Sequence, residues 1–234
     1  MELTKEETGI DKISIIMLGD AGVGKSCISV TFKSGQGAAQ KVDTTIGIDL
    51  WTKVVAIDDK KLKAVIYDTS GQERYRSIPK SYIRKGDGIA LVYDITSRKS
   101  FDSLACEKDS WLNEVESLRD DKPPLIVMGN KSDLGEAREV TEKEGIEFAE
   151  SIGAFFTETT VMDSKVIDSA FQILIKTVYI KKNADGLQQG SSFRSRANST
   201  KLHSKRAAKQ KKTASSCSSC ACSCKPEKEP KFEI

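Results

Sequence analysis

Residues 12–18, KISIIML, form an apolar run that ends at a glycine-rich turn, and residues 24–33 beyond it read as a helix. Residues 48–57 alternate in polarity, Asp58-Asp59-Lys60-Lys61 makes a turn, and 62–67 returns, which is the pattern of a hairpin. Short apolar runs at 89–93, 125–128 and 154–157 predict three further strands. Between them the spacing is helical. Ser100 is placed to cap a helix reaching about Leu118, Thr141-Glu142-Lys143-Glu144 opens a second, and Ile167, Phe171, Leu174, Ile175 and Val178 stripe a third. Strands alternating with helices predict an α/β fold with a doubly wound, mostly parallel six-stranded sheet, the hairpin supplying one antiparallel edge. There are no internal repeats.

After Lys182 the pattern stops. The chain turns to Ser, Gln, Asn, Lys and Cys without periodicity, which predicts a domain over 11–182, an N-terminal extension over 1–10 and a disordered tail over 183–234. Only 38% of the 234 residues are hydrophobic, in keeping with an unpacked segment. Charge divides at the same place. Residues 1–182 carry 26 basic and 30 acidic side chains, net −4, and 183–234 carry 11 and 4, net +7. A basic tail on a mildly acidic body points to an anionic partner, a membrane surface or nucleic acid. No apolar run approaches the ~20 residues that span a bilayer. The opening MELTKEETGIDK lacks the apolar stretch of a secretory signal. Cys27 and Cys106 stand alone and the other four cysteines crowd into 217–224, so no disulfide framework is expected, and the chain is expected in the cytosol or on membranes facing it.

Gly19-Asp20-Ala21-Gly22-Val23-Gly24-Lys25-Ser26 stands between a predicted strand and a predicted helix, as a phosphate-binding loop must. Its glycines let successive N–H groups converge on phosphate oxygens at a helix N-terminus, where the dipole also favours anions. Lys25 is the candidate for the β- and γ-phosphates and the Ser26 hydroxyl for magnesium, with Cys27 next in the loop. A chance match in a glycine turn is the other reading, and the motif does not say which nucleotide binds. Asn130-Lys131-Ser132-Asp133 follows the strand at 125–128, on the carboxyl edge where such sheets hold ligands. The Asp133 carboxylate suits the N1–H and amino donors of guanine, which adenine does not offer at those positions. Asn130 would bond the other edge of the base and hold the loop, and the Lys131 stem would lie over the ring. Taken alone this is equally a charged turn. Asp68-Thr69-Ser70-Gly71-Gln72 leaves another strand, and Asp68 could reach magnesium through water, Gly71 a γ-phosphate and Gln72 the attacking water. Thr45, before Ile46-Gly47, adds a hydroxyl between the phosphate loop and the hairpin.

Together these segments resemble the Ras superfamily of small GTPases, and within it the Rab family, over about residues 12–180. Thr45-Ile46-Gly47-Ile48-Asp49, residues 68–74 and Leu91-Val92-Tyr93-Asp94-Ile95-Thr96 carry the Rab-type likeness. The resemblance implies the P-loop GTPase fold, with GTP or GDP as ligand and Mg2+ held by Ser26, Thr45 and Asp68. It implies water positioned by Gln72, and a base loop at Glu158-Thr159-Thr160-Val161-Met162 that makes Thr160, Val161 and Met162 nucleotide contacts. It further implies effectors read through the switch regions, an exchange factor, a GTPase-activating protein, and a role in vesicle traffic on the cytosolic face of intracellular membranes, with no nucleic acid as partner.

The chain departs from that family in several places. Twenty positions separate Lys25 from Thr45, one more than usual, and residues 35–39 lack the aromatic that covers guanine, leaving Phe32 as another ring that could do so. Met162 replaces a lysine, Ser70 an alanine, Tyr67 a tryptophan and Leu50 a phenylalanine. The last two lie on the effector-facing patch, so different partners are expected. Lys201, Lys205, Arg206, Lys209, Lys211 and Lys212 precede Cys217, Cys220, Cys222 and Cys224, which fits a two-signal lipid anchor. Ten residues follow Cys224, so palmitoylation is preferred over prenylation; a zinc site, oxidation-prone thiols or no attachment are the alternatives. Against the switch stand a nucleotide-binding scaffold that scarcely hydrolyses and a metabolic kinase.

Overall fold

The computed structural model describes residues 10–36, 45, 47–69, 79–105 and 110–192. Among these residues six strands form one sheet, in the order β2-β3-β1-β4-β5-β6. They are β1 (Asp11–Leu18), β2 (Ile48–Ile57), β3 (Lys60–Thr69), β4 (Gly88–Asp94), β5 (Leu125–Asn130) and β6 (Phe155–Thr159). The β2–β3 hairpin pairs antiparallel and every other pair is parallel, which is the fold class expected. Successive side chains on a strand face opposite ways, and that alternation sorts the core in two. Ile13, Ile15 and Met17 of β1, with Ala90 and Val92 of β4, pack against α1 (Lys25–Ser34) and α6 (Ser164–Ser192). Ile16 and Leu18, with Ile89, Leu91 and Tyr93, pack on the other face against α3 (Arg98–Ala105), α4 (Trp111–Leu118) and α5 (Glu142–Ile152). A short α2 (Pro79–Ile83) leads into β4. The α6 stripe is a helical contact face: Ile167, Phe171, Leu174, Ile175 and Val178 are all buried.

Two boundaries differ from the sequence expectation. The helix from Ser100 to Leu118 is two helices, and Ser100 does not cap one. It is the third residue of α3, where its hydroxyl accepts from the Asp94 N–H (3.0 Å) and donates to the Ser97 carbonyl (2.8 Å), closing the end of β4. The cap belongs to Ser110, whose side chain accepts from the Asn113 N–H at 3.2 Å and starts α4. At the far end α6 continues to Ser192, past the change of composition at Lys182. Each residue added to a formed helix brings its own hydrogen bond, so a packed stretch can carry its helix into polar sequence.

Candidate functional site

Because β1 and β4 are neighbours while β3 and β5 flank them, the sheet changes direction of winding between the two central strands, and crevices form at their carboxyl ends. The predicted loop from Gly19 to Gly24 lies there, joining β1 to α1. Gly19, Gly22 and Gly24 all have positive φ (143°, 79° and 98°). At Gly24 a Cβ would sit 2.3 Å from the Asn130 side-chain nitrogen, so the approach of the base-side loop requires glycine. Gly24 is also the N-cap of α1 and offers no side-chain cap, whereas α4 and α5 are capped by Ser110 and Thr141. The first N–H groups of α1 therefore lack the side-chain acceptor that the other two helices have, which suits an external anion. Lys25 and Ser26 follow as the first residues of α1, with Cys27 half-buried behind them. The Lys25 ammonium is buried beneath the loop and donates to the carbonyls of Gly19 and Asp20, each at 2.8 Å. Burial lowers its pKa to about 8, against the attraction of Asp68 and Asp20.

Three oxygen-bearing side chains meet beside Lys25. Ser26 Oγ and Thr45 Oγ1 are 2.7 Å apart, and Thr45 Oγ1 is 3.5 Å from Asp68 Oδ2. Asp68 is fully buried at the end of β3, and burial raises its pKa, opposed by the Ser26 hydroxyl and Lys25. Its Oδ1 has no hydrogen-bond partner among the described residues. A buried carboxylate oxygen left without a donor is expensive unless a cation is its partner. Two hydroxyls and one carboxylate fit magnesium, a hard ion that takes oxygen ligands and uses one or two carboxylates together with substrate phosphates. Among the described residues no three His, Cys, Asp or Glu side chains group to hold a metal, so a site here would have to be completed by the nucleotide.

The base-side loop is bonded to the phosphate loop. The Asn130 amide donates to the Val23 carbonyl at 2.8 Å and accepts from Thr159 Oγ1 at 3.2 Å, so one buried side chain ties the phosphate loop to the ends of β5 and β6. Lys131 takes a left-handed conformation (φ 66°) and its ammonium meets Asp94 Oδ2 at 2.6 Å. Asp94 also accepts from the Thr96 N–H and hydroxyl, and these bonds with Lys131 bring its pKa down although burial opposes them. Asp133 is the second residue of the tight turn that Ser132 opens after Lys131, and its Oδ1 accepts from Thr160 Oγ1 at 2.6 Å. A carboxylate has about four lone-pair directions, so acceptor capacity remains for a base. Thr160 Oγ1 in turn accepts from the Met162 N–H at 3.2 Å, and the Met162 side chain is exposed. Val161 lies in the turn between them.

The geometry thus brings residues 19–27, Thr45, Asp68, Asn130, Lys131, Asp133 and residues 160–162 to one end of the sheet. Gly71, Gln72 and the four tail cysteines at 217, 220, 222 and 224 lie outside the described residues. Sequence reasoning missed Asp94, Thr159 and Trp111. Asp94 and Thr159 each stand at the end of a strand beside a motif, which is a usable signal. Trp111 is buried at the start of α4, remote in sequence, and donates its indole N–H to Asp20 Oδ1 at 2.9 Å. The model of the Ras family matches residues 14–180. The chain is 39% identical over 180 residues to Ras-related protein Rab2BV of Beta vulgaris, covering 76% of this chain and 82% of that one. It is 42% identical over 165 residues to Ras-related protein RGP2 of Oryza sativa subsp. japonica, covering 70% and 74%. Against Ras-related protein Rab11A of Lotus japonicus the figure is 37% over 178 residues, 76% of each chain.

Proposed function

The chain belongs to the Ras family as a Rab-like small GTPase, and from that premise we propose a Mg2+-dependent GTP/GDP switch that hydrolyses GTP slowly and serves vesicle traffic. The observation that supports it best is the Asn130 bond to Val23, because it couples a phosphate-reading loop to a base-reading loop through one side chain. Asp133 would accept from the guanine edge while Thr160 orients the carboxylate, and Lys131, steered by Asp94, would lie along the base. The N–H groups at the start of α1, which no cap side chain serves, and the Lys25 ammonium would take the phosphates. Ser26, Thr45 and Asp68 would hold magnesium, which when bound neutralises charge between the β- and γ-phosphates. Thr45 and Gly71 would register the γ-phosphate, and Gln72 would orient water.

The domain plan follows the same reading, with a GTPase domain from residue 11 whose last helix runs beyond 182 to Ser192, 1–10 as an extension, and a basic, cysteine-bearing tail after that helix. Effectors would meet the outer face of the hairpin, where Leu50 is 60% exposed and pairs across the strands with Tyr67, whose ring meets that of Tyr82 at a tilt, centroids 5.2 Å apart. Tyrosine and leucine in place of tryptophan and phenylalanine would select a distinct set of partners. No helix of the described residues is long and apolar enough to cross a membrane. Contact with the cytosolic face of a membrane would come from the tail, through its lysines and acylated Cys217, Cys220, Cys222 and Cys224. An exchange factor and an activating protein would complete the cycle.

Two measurements test this function. GTP and GDP should bind in strong preference to ATP, and Asp133→Asn should weaken GDP binding about a hundredfold. That corresponds to losing a charge-assisted contact of ~1.5–3 kcal/mol, and xanthine nucleotides should recover it, since the amide can donate where the carboxylate only accepts. Equal affinity for ATP and GTP would end the base assignment. The second is single-turnover hydrolysis of bound GTP. Gln72→Leu should slow it by at least tenfold with GTP affinity unchanged, as expected of a group that orients water without holding substrate. A chain that binds GTP but never turns it over would instead be a nucleotide-binding scaffold.

A further inference from the structure

Asp20 is out of place on electrostatic grounds. It is the second residue of a loop that, on the functional reading above, receives a polyphosphate, and it brings a like charge to that ligand. Repulsion between such charges in a partly buried site is large enough to govern affinity. The same carboxylate attracts the buried Lys25 ammonium, whose bonds to the Gly19 and Asp20 carbonyls fix the loop. A carboxylate here therefore helps or harms according to where it is held. What holds it comes from the opposite face of the sheet: Trp111, buried among the α3–α4–α5 side chains, donates its indole N–H to Asp20 Oδ1 at 2.9 Å across 91 residues of sequence. Ser110 fixes the start of α4, so this donor is delivered by a capped helix and a filled core, with little freedom to move.

We propose that Trp111 is a positioning residue for nucleotide binding: its indole N–H holds the Asp20 carboxylate toward α4, where it supports Lys25 without repelling the phosphates. The proposal rests on the nucleotide reading of the loop. It makes the start of α4 part of the phosphate site, although no residue of α4 belongs to a recognised nucleotide motif.

The test is GDP release from the full-length Mg2+–GDP protein, in a cycle of the parent, Trp111→Phe, Asp20→Asn and the double variant. Trp111→Phe keeps an apolar ring in the core and removes the donor. It should speed release about tenfold in the parent, the size of effect that a hydrogen bond to a charged group supports. In the Asp20→Asn background it should change release by less than about threefold, because a neutral amide set loose repels nothing. Equal acceleration in both backgrounds would make Trp111 a packing residue only, and no acceleration in either would remove the link; both overturn the proposal. Should Trp111→Phe fail to fold, Trp51→Phe leaves Trp111 as the single tryptophan of the chain, which has two. Its emission should then shift when GDP is stripped, and Asp20→Ala should abolish the shift; emission indifferent to GDP overturns the proposal. A parent chain that does not retain GDP at all would overturn the nucleotide reading itself, and it would do so before any substitution is made.

Discussion

Gly19→Ala should lower the melting temperature by roughly 5–20 °C and abolish nucleotide retention. Two costs add. A φ of 143° is a backbone conformation that side chains rarely adopt, and holding alanine there costs about 1–3 kcal/mol. The new Cβ would also lie 2.1 Å from the Val92 carbonyl oxygen, far inside contact distance. Val92 cannot yield. It is fully buried in β4, which is hydrogen-bonded to β1 on one side and β5 on the other. Forcing an atom into a packed interior adds about 1–3 kcal/mol, and the total spreads over a domain for which each kcal/mol is worth ~2–4 °C. Function should fall further than stability, because the only escape is for the loop to move, and the Gly19 carbonyl that anchors Lys25 moves with it. Gly22→Ala is the control. Its φ is also positive, but a Cβ there meets nothing within 4 Å, so only the backbone cost applies. Calorimetry and GDP retention on both variants check the argument, and equal losses would show that strain alone matters and that the close approach to β4 does not.

Period and punctuation in the sequence carried most of this architecture. The run at 12–18 was legible as a strand because it is apolar throughout and ends at a glycine turn, and the structure buries both of its faces, one in each of two separate clusters. The motifs were legible for a related reason: glycines at fixed intervals between a strand and a helix have few other uses. What was not legible depended on contacts between distant segments. Ser100 has the chemistry of a cap, and only the position of Asp94 decides that it serves β4 instead. Phe32 offered a ring near the loop that could cover the base, yet it is buried against Phe171, with ring centroids 4.2 Å apart. Lys53 bonds its carbonyl at 2.7 Å and sits over its ring. That arrangement commits Phe32 to joining α1, β2 and α6, so it does not shield guanine. Trp111 gave no local sign of its bond to Asp20, since a tryptophan at the head of an amphipathic helix is first of all a core residue.

Asp68→Asn should do two opposite things at once, and the opposition is diagnostic. With Mg2+ and GDP present the variant should bind two to three powers of ten more weakly. Truncating one member of a buried charge pair costs about 3–5 kcal/mol, and a cation facing Asp68 would lose its one carboxylate here. Without nucleotide or metal the same substitution should raise the melting temperature by a few degrees. Asp68 is fully buried and one of its oxygens has no hydrogen-bond partner among the described residues, which leaves a desolvation penalty of about 1–3 kcal/mol for that group in the ligand-free protein. Lys25 and the Ser26 hydroxyl offset part of it, and Asp49, paired with Asp68 in the β2–β3 register, adds to it. Burial is the largest of these influences on the carboxylate, and it decides the sign. A neutral amide of the same shape escapes most of that penalty. Thermal melts of parent and variant, each with and without Mg2+ and GDP, measure both effects in one experiment. If Asp68→Asn destabilises the ligand-free protein, the carboxylate is an ordinary structural group satisfied by its neighbours. If it leaves the Mg2+-dependent gain intact, the ion is held elsewhere. Only a crossing of the two curves, with the variant the more stable without ligand and the less stable with it, is the mark of a carboxylate kept unpaired in the fold for the sake of a metal.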